Sequence, residues 1–595
     1  MMRGRDGERP VGNLDLGIVG NCQYSALIDR TAAVVWCCLP RFDASPVFAG
    51  LLDPERGGVF SVQPVRPFVP TQQYIRNTCV LSTKFEVDDG TSFEVVDFAP
   101  RFYQFDRYFR PPSLIRILRP IRGMPRIAVR CEPTLDYGRQ RTRPVTGSNH
   151  IAYLGSDQEL RLTCDVGLTH ILDASPFLLD QTRYLILTYG KPLEGPIKSL
   201  AEEYHDRTVA YWRTWCKHCS VPFDFQDEVL RSALTLKLHI FEDTGAVIAA
   251  TTTSIPEAPG TGRNWDYRYC WLRDAYFAVG ALNRLGHFEE MEKFITYLRN
   301  ITQDDTNLSL QPVYGIGGER VLEEREIPWL SGFLGQVPVR IGNVAHRHRQ
   351  HDVYGELVLC MLPFFFDRRI VDQDPDGNFG VVERLVRRAG ELFGKPDAGI
   401  WEFRSEESLH VFSSLMCWAA VHHGARIARH LGRTDLADDW DGRAAQFRSV
   451  LEREAWNEAL GCFTMTFGGS QPDASNLLMA RVDFLRPDDP RLARTLACYE
   501  QVLKEGDYVF RYRSQDDFGV PKSAFLICTF WFIEALVTAG RTAEAHDMFR
   551  KVIARANPLG LLSEDIDPAT GELWGNFPQT YSHVGLITSA LLLGT

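Results

Sequence analysis

Hydrophobic and polar positions follow two different periods along this chain, and the change falls near residue 222. Before that point, short apolar runs with many β-branched residues are separated by Pro and Gly. Many short strands between turn signals are typical of a β-sandwich. The clearest runs predict strands at Ala32–Cys38, Phe93–Phe98, Leu114–Leu118, Ile127–Cys131 and Tyr184–Thr188.

After this region the apolar positions recur at helical spacing. A helical linker is expected from near Leu200 to Cys216. Twelve further helical patterns lie at 226–249, 269–285, 288–300, 351–363, 380–393, 411–431, 437–455, 473–482, 490–505, 522–540, 541–556 and 580–594. Twelve helices can pair as six hairpins, and six hairpins in a ring give an inner and an outer layer. The pattern therefore predicts a multidomain β + α protein: an N-terminal β-sandwich domain with its linker at 1–222, then an (α/α) six-hairpin barrel at 223–595.

Long stretches without a regular pattern interrupt the helical region. They lie at Ala250–Tyr267, Thr306–Arg349, Pro396–His410 and Asn557–Gln579. Long structureless loops in a compact domain are usually functional. Two of these loops set a carboxylate among aromatic residues: Glu402 in DAGIWEFR, and Glu564 in LLSEDIDPATGELWGNFPQ. The second also fits a solvated acidic loop, but two such carboxylates are what hydrolysis of a glycosidic bond requires.

Composition narrows the class of protein. Hydrophobic residues are 45% and charged residues 24% of the 595 positions, so a large globular core is expected. The net charge of −11, without a long basic run, argues against a nucleic-acid or membrane-surface partner. No apolar run is long enough to span a bilayer, and the polar N-terminus lacks the apolar segment of a secretory signal.

The 14 cysteines have no framework spacing, which indicates free thiols and a cytoplasmic protein. Cys216 and Cys219 form a lone C-x-x-C. Such a motif can be half of a redox or metal site, but a second pair is missing, and we interpret it as two ordinary thiols.

Several long motifs follow one another in a specific order. They are Ile18–Asp53 near the start, NWDYRYCWLRDA at Asn264–Ala275, VYGIGGER at Val313–Arg320, PVRIGNVAH and QHDVYG within Ser331–Gly355, and then GIWEFR, SSLMCW, DDFGVPKSAFLICTFW and SEDIDPATGELWGNFPQTYSHVGLI. In this order they resemble glycoside hydrolase family 15, the glucoamylase family, in the bacterial branch that also contains trehalases. The resemblance spans nearly the whole chain. It implies a β-sandwich joined to an (α/α) barrel, inversion at the anomeric carbon, and chemistry that needs neither a cofactor nor a metal.

The resemblance also implies roles for the two carboxylates. Glu402 matches the general acid, which protonates the departing glycosidic oxygen, and Glu564 matches the general base, which deprotonates a water. Inverting pairs stand about 6.5–9.5 Å apart to leave room for that water. Motif position favours Glu564 over its neighbour Asp565 as the base. Trp401 is expected to favour the protonated form of Glu402, because an apolar neighbour disfavours the carboxylate.

Further residues are implied on the substrate side. Arg273 and Asp274 match the pair that grips the hydroxyls of the terminal glucose, although adjacent opposite charges on a helix also fit a local ion pair. Trp265 is expected in the pocket wall, and Trp271 can either stack on the sugar or pack. Arg404 is expected to reach the sugar or to orient the acid.

One cluster could suggest a metal. His346, His348 and His351 form an H-x-H-x-x-H pattern, but its spacing on an irregular segment is weak, and we interpret it as a solvated or pocket-rim cluster. The runs Glu323–Glu326 and Glu406–Glu407 are interpreted as solvated charges.

Two departures from the family pattern bear on the leaving group. Phe403 stands where some relatives have a second acidic residue, and Lys522-Ser523 stands where others have Glu-Gly. Both positions are expected to shape the leaving-group side. They leave open whether the leaving group is glucose, as in trehalose, or a short α-glucan or isomalto-type chain.

The sequence therefore predicts an exo-acting, inverting hydrolase that releases β-glucose from terminal α-glucosidic bonds of trehalose or short α-glucans. The expected partner is a small-molecule carbohydrate, and the oligomeric state stays open. An inverting disaccharide phosphorylase is the alternative enzyme, but it would not need a base in the SEDIDP segment. A catalytically retired carbohydrate-binding protein is the alternative of another class. A protein that had lost its catalytic activity should lack Glu402, Glu564, Arg273 or Asp274, and all four are present.

Overall fold

The structure is a computed structural model, and it describes residues 12–155, 159–303, 305, 307–371 and 374–594. Residues 1–11, on which the interpretation of the N-terminus largely rests, lie outside the described residues. So does residue 306, the first of the predicted loop Thr306–Arg349.

Short strands dominate the first 190 residues. They are β1 (Leu16–Gly20), β2 (Ser25–Asp29), β3 (Val34–Cys38), β4 (Pro46–Phe48), β5 (Val59–Pro64), β6 (Phe68–Tyr74), β7 (Leu81–Val87), β8 (Ser92–Phe98), β9 (Phe102–Gln104), β10 (Arg107–Phe109), β11 (Ser113–Arg122), β12 (Arg126–Glu132), β13 (Thr134–Leu135), β14 (Gln140–Arg141), β15 (Arg143–Thr146), β16 (His150–Leu154), β17 (Leu160–Cys164), β18 (Phe177–Leu178) and β19 (Arg183–Tyr189). All five segments predicted as strands are found among them.

Two antiparallel sheets pack face to face. One runs in the order β1-β2-β3-β5-β12-β18 with β4 beside β3, and the other in the order β15-β16-β17-β19-β11-β8-β7-β6. Strands such as β7 and β12 alternate buried and exposed side chains, because successive residues of a strand point to opposite faces. Phe60 and Val62 of one sheet share a buried core with Phe85 and Phe93 of the other. The predicted β-sandwich is confirmed.

Helices are the main regular elements of the remaining residues, and one short helix (Leu168–Leu172) lies among the strands of the sandwich. The helices are α1 (Leu168–Leu172), α2 (Ile197–Lys217), α3 (Gln226–Leu238), α4 (Leu272–Arg284), α5 (Glu289–Thr302), α6 (Val353–Phe366), α7 (Pro375–Leu392), α8 (Val411–His430), α9 (Thr434–Glu454), α10 (Pro490–Val502), α11 (Leu526–Thr538), α12 (Thr542–Ile553) and α13 (Thr580–Leu593). The predicted linker helix is α2.

The helical region closes into a ring. The inner layer consists of α4, α6, α8, the 3₁₀ helix Ala474–Met479, α11 and α13, each in contact with the next, and α13 packs back onto α4. The remaining helices from α3 onward form the outer layer. Inner helices such as α11 are buried on nearly every face, whereas outer ones such as α5 are amphipathic. The predicted (α/α) barrel is confirmed.

Two of the twelve helical patterns were wrong in detail. The pattern 226–249 continues past the end of α3 at Leu238, because Phe241 and Ala246 close a turn by a 2.8 Å backbone hydrogen bond and Gly245 has φ +88°. The pattern 473–482 is the short 3₁₀ helix Ala474–Met479. Its six residues are all buried, so an apolar run there carries no signal for the helix pitch.

Short strands order the loops at one end of the barrel. They are β20 (Cys270–Trp271), β21 (Val313–Tyr314), β22 (Arg325–Glu326), β23 (Arg340–Ile341), β24 (Trp456–Asn457), β25 (Cys462–Phe463), β26 (Lys504–Glu505), β27 (Tyr508–Val509), β28 (Ala524–Phe525), β29 (Asp565–Ile566) and β30 (Leu573–Trp574). β20 leads directly into α4, and β29 is the middle strand of a three-stranded sheet with β28 and β30. These strands fix the positions from which the residues of the site project.

The two halves share one buried core. Ile18 and Trp36 of the sandwich belong to the same apolar cluster as Leu238 and Leu272 of the barrel. The indole N–H of Trp36 also donates to the carbonyl of Thr251 at 3.0 Å. Because the buried core is continuous across both halves, it does not test the predicted domain boundary between residues 222 and 223, which stays a prediction. Across the described residues, none of the helices has the length and apolar character needed to cross a bilayer.

Candidate active site

Two neighbouring cavities open among the barrel loops. The first, of about 410 Å³, is lined by Trp271, Arg273, Asp274 and Tyr581 and is called the Arg273 cavity. The second, of about 540 Å³, is lined by Trp265, His348, Arg404 and Phe518 and is called the Arg404 cavity. Both have Tyr267, Trp401, Glu402 and Arg511 in their walls. The Glu402 carboxylate therefore stands where the two cavities meet.

A tight turn presents Glu402. The amide N–H of Glu402 donates to the carbonyl of Gly399 at 3.1 Å, and that of Phe403 donates to Ala398 at 3.0 Å. Gly399 has φ +66° and Glu402 itself has φ +64°. A non-glycine residue in this left-handed region is under backbone strain, which proteins keep mostly at functional sites.

The Glu402 carboxylate is held by an indole. Trp271 Nε1 donates to Glu402 Oε1 at 2.6 Å, and Arg273 Nη1 lies 3.8 Å from the same oxygen. Trp401, the expected neighbour, instead donates its Nε1 proton to the buried Asp473 carboxylate at 3.0 Å. Trp401 lines both cavities with its ring, and Trp271 takes part through a hydrogen bond, which sequence reasoning did not anticipate.

Arg273 and Asp274 are both an ion pair and part of a cavity wall. They lie in the first turn of α4, and Arg273 Nη2 lies 3.3 Å from Asp274 Oδ2. Arg273 Nη1 also donates to the carbonyl of Ile400 at 2.8 Å, which ties this pair to the turn that carries Glu402. Burial raises the pKa of Asp274 to about 6, with Arg273 opposing the rise. Within the described residues Arg273 Nε has no partner, so a donor is left for a ligand.

Glu564 is buried immediately before β29. The Tyr267 hydroxyl donates to Glu564 Oε1 at 2.6 Å, and Glu564 Oε2 has no hydrogen-bond partner among the described residues. Burial raises the pKa of Glu564 to about 8. The negative charge of Glu257 adds to the rise, whereas Tyr267 and Arg511 oppose it. The free Oε2 is a buried acceptor that a water can satisfy.

Asp565 differs from Glu564 in its partner. Ser523 Oγ donates to Asp565 Oδ1 at 2.9 Å. Burial, followed by the adjacent Glu564 charge, raises the pKa of Asp565 well above its usual range. Ser523 is buried against Asp565 and, like Glu564, is not among the residues that line the two cavities, so its expected effect on the leaving-group side stays a prediction. Phe403, the other departure from the family pattern, does line the Arg404 cavity.

A buried charge pair links Glu564 to the Arg404 cavity. Arg511 pairs with Glu257, which also accepts from Trp265 Nε1 at 3.0 Å. Arg511 is in the wall of both cavities. Neither Glu257 nor Arg511 was identified from the sequence, because no spacing relates residues 257, 511 and 564. Tyr267 could have been identified from the sequence, because it lies in the NWDYRYCWLRDA motif.

Arg404 and Trp265 form one wall of the Arg404 cavity. The Arg404 guanidinium lies 4.5 Å from the Trp265 ring centroid and bonds both oxygens of Glu324, at 3.0 and 2.9 Å. The interpretation of Glu324 as a solvated charge was wrong: its side chain is 16% exposed and also lies 3.8 Å from Arg340. The neighbouring Glu323 and Glu326 are exposed, as expected.

The loop that follows Tyr512 forms another wall. Asp516 is held by Arg263 and by the Tyr512 hydroxyl. Asp517 accepts the amide N–H of Arg404 at 2.7 Å and that of Ser405 at 3.1 Å. Both of these amide groups belong to the backbone that follows the Glu402 turn, so this wall and the turn hold each other in place.

The three histidines of the H-x-H-x-x-H pattern have separate surroundings. His348 lines the Arg404 cavity, whereas His346 and His351 are buried rather than solvated. His346 Nδ1 lies 2.8 Å from the Asn343 carbonyl, and His351 lies 4.0 Å from Asp397. Within the described part of the chain their ring nitrogens do not form a common ligand set.

Three other side chains could hold a metal by proximity alone: His422, His423 and Asp483. The Arg426 guanidinium already contacts this group, at 3.0 Å from His423 Nδ1 and 3.1 Å from Asp483. A fixed cation among the ligands disfavours a metal ion there.

Comparisons with known proteins agree with this architecture. The sequence model described as "Glycosyl hydrolases family 15" matches residues 224–591, and the one described as "Trehalase-like, N-terminal" matches residues 6–173. A trehalase of Mycolicibacterium smegmatis is 32% identical over 97% of this chain and 90% of its own length. A trehalase of Thermoplasma volcanium is 30% identical over 96% of this chain and 92% of its own.

Among solved structures, a bacterial glucoamylase complexed with acarbose aligns with a TM-score of 0.69 at 13% identity. The alignment covers 100% of this chain and 96% of that one. At this identity the likeness shows the fold alone. The family model spans more than half of the chain, and relatives at 30% identity or above align over nearly all of it. The chain therefore belongs to glycosyl hydrolase family 15 and is a glycoside hydrolase.

Proposed function

We propose that this hydrolase cleaves trehalose with inversion, using Glu402 as the general acid and Glu564 as the general base. One observation carries the proposal: Glu402 stands in the wall shared by two cavities. A disaccharide with one sugar in each cavity presents its glycosidic oxygen at that junction. The acid then lies beside the only oxygen that must be protonated.

The Arg273 cavity holds the glucose whose bond is broken. Its floor offers the Arg273–Asp274 pair, a charged donor beside a charged acceptor, and such a pair binds neighbouring hydroxyls of a sugar. The link from Arg273 to the Ile400 carbonyl couples sugar binding to the position of the acid. Binding energy from the hydroxyls is thereby used to align the reacting groups.

Glu402 protonates the glycosidic oxygen as the bond breaks. Trp271 bonds Oε1, and the other carboxyl oxygen is left to carry the proton. The leaving glucose departs into the Arg404 cavity, whose wall contains Trp265 and Phe518 in edge-to-face contact, with their ring centroids 4.8 Å apart. These aromatic side chains provide a face on which a sugar ring can pack.

Glu564 activates the attacking water. Tyr267 occupies Oε1 and leaves Oε2 as a buried acceptor, so a water bound there loses its proton to Glu564. Arg511 supplies the positive charge that favours the ionised base. Each of the two adjacent carboxylates has one bonded oxygen, to Tyr267 for Glu564 and to Ser523 for Asp565, so the choice of Glu564 as the base rests on its position in the SEDIDP motif.

The choice of trehalose rests on the relatives and on the walls of the Arg404 cavity. The relatives aligned over nearly the whole chain are named trehalases. Asp516 and Asp517 hold the loop beside the cavity by ion pairing and backbone hydrogen bonds. A fixed wall on the leaving-group side favours a single sugar over a longer chain.

The test is a substrate panel. Purified protein is incubated with trehalose, maltose, isomaltose and maltotetraose, first without phosphate and then with it, and released glucose is followed by NMR. We expect turnover of trehalose without phosphate, and a loss of at least about 100-fold in kcat for Glu402→Gln and for Glu564→Gln. Asp565→Asn is the matched control and should stay within about 10-fold of wild type.

Other results would overturn the proposal in specific ways. Preferred turnover of maltotetraose would make the leaving-group side glucoamylase-like. Glucose 1-phosphate formed only with phosphate would remove the need for Glu564 as base and favour the phosphorylase alternative. Saturable binding without turnover of any sugar would favour the retired binding protein.

A further inference from the structure

Two cysteines far apart in sequence meet at the outer edge of the barrel. Cys462 lies in β25 and Cys498 in α10, 36 positions later. Their sulfur atoms are 2.9 Å apart, and both residues are free thiols in the structure. A disulfide bond needs an S–S distance of about 2.05 Å, so the two sulfurs must approach by less than about 1 Å.

We propose that Cys462 and Cys498 form a reversible disulfide when the protein meets a two-electron oxidant such as a peroxide. The link would join the β24–β25 hairpin to α10. It is independent of the trehalase assignment, because neither cysteine lines either cavity.

The surroundings favour this pair over every other. Cys462 is buried, whereas Cys498 is half-buried and is the thiol that a small oxidant reaches first. The hairpin turns at Gly461, which has φ +67°, and Leu460 beside it is 40% exposed. A surface turn can absorb a sub-ångström shift at far lower cost than the packed core.

The backbone is already fixed around the pair. Tyr499 follows Cys498 in the sequence, and Phe463 follows Cys462. The Tyr499 hydroxyl donates to the Phe463 carbonyl at 2.9 Å. This bond holds β25 and α10 in register, so the two thiols are preoriented. The disulfide would add a covalent bond to a contact that exists without it.

The C-x-x-C of the sequence lacks this geometry. Cys216 Sγ contacts the carbonyl of Asn77 at 3.6 Å, and Cys219 Sγ lies 3.2 Å from His287 Nε2. The two sulfurs have different partners, and the described residues include no hydrogen bond between them. The motif that sequence reasoning singled out is therefore the weaker candidate.

The chemistry balances with hydrogen peroxide as the oxidant. The Cys498 sulfur attacks one peroxide oxygen, the O–O bond breaks, and one water leaves as sulfenic acid forms. The Cys462 sulfur then attacks the sulfenic sulfur, the S–O bond breaks, and a second water leaves with the thiol proton. Two thiols and one peroxide give one disulfide and two waters, and a dithiol reductant reverses the link.

The experiment is peptide mapping of the full-length protein. Wild type is treated with graded hydrogen peroxide, free thiols are blocked with iodoacetamide, and digests are compared with and without dithiothreitol. We expect one reducible cross-linked peptide that joins Cys462 to Cys498. The oxidised protein should melt about 2–4 °C higher, since the link constrains the unfolded chain.

Matched variants separate this site from general oxidation. Cys498→Ser should lose both the cross-link and the rise in Tm, whereas Cys219→Ser, which removes the other half-buried thiol, should keep both. Recovery of Cys498 alkylated or as sulfinic acid at every peroxide dose would overturn the proposal. So would a main product that links Cys216 to Cys219, or a cross-link that lowers Tm.

Discussion

The two proposed catalytic carboxylates differ in their access to water. The Glu402 side chain is 21% exposed and accepts from an indole, whereas Glu564 is 1% exposed and accepts from a phenol. Burial makes ionisation of Glu564 costly, and the nearby Glu257 charge adds to that cost. In the proposed mechanism, ionisation of Glu564 therefore depends on Tyr267 and Arg511, which both lower its pKa.

The cost of ionising the buried Glu564 predicts the pH dependence of trehalose hydrolysis. A base works only when deprotonated, so kcat/KM should rise as pH rises through the pKa of Glu564 in the free enzyme. That pKa is raised from about 4.5 to about 8. We expect an acid limb with its midpoint well above pH 4.5, measured from initial rates at low substrate.

Tyr267→Phe supplies the control for this profile. The Tyr267 hydroxyl bonds the carboxylate and lowers the pKa of Glu564, so its removal should move the acid limb to higher pH. An acid limb at or below pH 4.5, or a limb that Tyr267→Phe leaves in place, would contradict the assigned role of Glu564.

Trp271 gives a second prediction for a single residue. Trp271→Phe keeps the ring in the wall of the Arg273 cavity but removes the 2.6 Å hydrogen bond to Glu402. This bond strengthens as Glu402 gives up its proton and becomes charged in the transition state. A hydrogen bond to a charged group contributes about 1.5–3 kcal/mol, so kcat should fall roughly 10- to 100-fold. KM should change much less, because the sugar-binding pair remains.

Trp212→Phe is the matched control for this change. Its indole N–H is buried in α2 without a hydrogen-bond partner among the described residues. The smaller phenyl ring should lower stability by leaving a cavity in the core, without changing kcat. Equal effects of the two variants on kcat would show that the Trp271 bond does not position the acid.

At the scale of elements, the turn that carries Glu402 depends on Gly399. A Cβ at this position would lie 2.8 Å from the ring of the buried His410, and φ is +66°. Gly399→Ala should therefore displace the turn, and a displacement of about 1 Å at a catalytic group can cost about 100-fold. We expect kcat to fall about 10- to 100-fold, with Tm lowered as well.

Gly394→Ala is the matched control for the turn. Gly394 has a similar φ of +67°, but nothing lies within 4 Å of a Cβ there. This change should lower stability by about 1 kcal/mol and leave kcat intact. If both alanine variants have the same kcat, the packing of His410 against Gly399 does not set the position of Glu402.

Much of the element order could be predicted from periodicity, and the failures have physical causes. Strands and amphipathic helices bury one face, so their apolar positions recur at a period that the sequence displays. The 3₁₀ helix Ala474–Met479 is buried on all sides, so nothing in its pattern sets its pitch. The segment after Leu238 contains buried apolar residues because it packs against the sandwich, where Phe241 contacts Phe42 and the amide N–H of Glu242 donates to the carbonyl of Cys22, while its backbone turns.

The candidate site could be predicted only where long motifs carry it. Glu402, Glu564, Arg273 and Asp274 were found through the family resemblance, and their roles stay proposals. Glu257 could not be identified because its charged partner Arg511 lies 254 positions away in sequence, and only the closed ring brings the two side chains together.

At the scale of the whole molecule, buried charges join the sandwich to the barrel. Arg101 of the sandwich is fully buried and donates to Glu242 of the barrel at 2.6 Å. Glu242 also meets Lys237 at 3.4 Å, and Lys237 pairs with Glu290 at 2.9 Å. Opposite charges hold the pKa of Glu242 far below its usual range despite burial.

This cluster predicts a large effect of one substitution on stability. Arg101→Met removes the main partner that the sandwich offers to Glu242 and should lower the free energy of unfolding by about 2–4 kcal/mol. Arg66→Met is the control, because the Arg66–Asp88 pair is 58% and 41% exposed and should leave Tm unchanged. Chemical denaturation measures the free energy of unfolding of both variants. If that of Arg101→Met is close to the wild-type value, the cluster does not hold the two halves together.

The central claim, inversion at one glucose of trehalose by Glu402 and Glu564, is tested most directly by the anomers formed first. Proton NMR is recorded during the first turnovers, before mutarotation. Inversion at the attacked carbon gives one β-glucose, and the leaving glucose keeps its α configuration, so the account predicts β- and α-glucose in equal amounts. Only α-glucose would indicate retention and would contradict the assignment of Glu564 as a base that activates water.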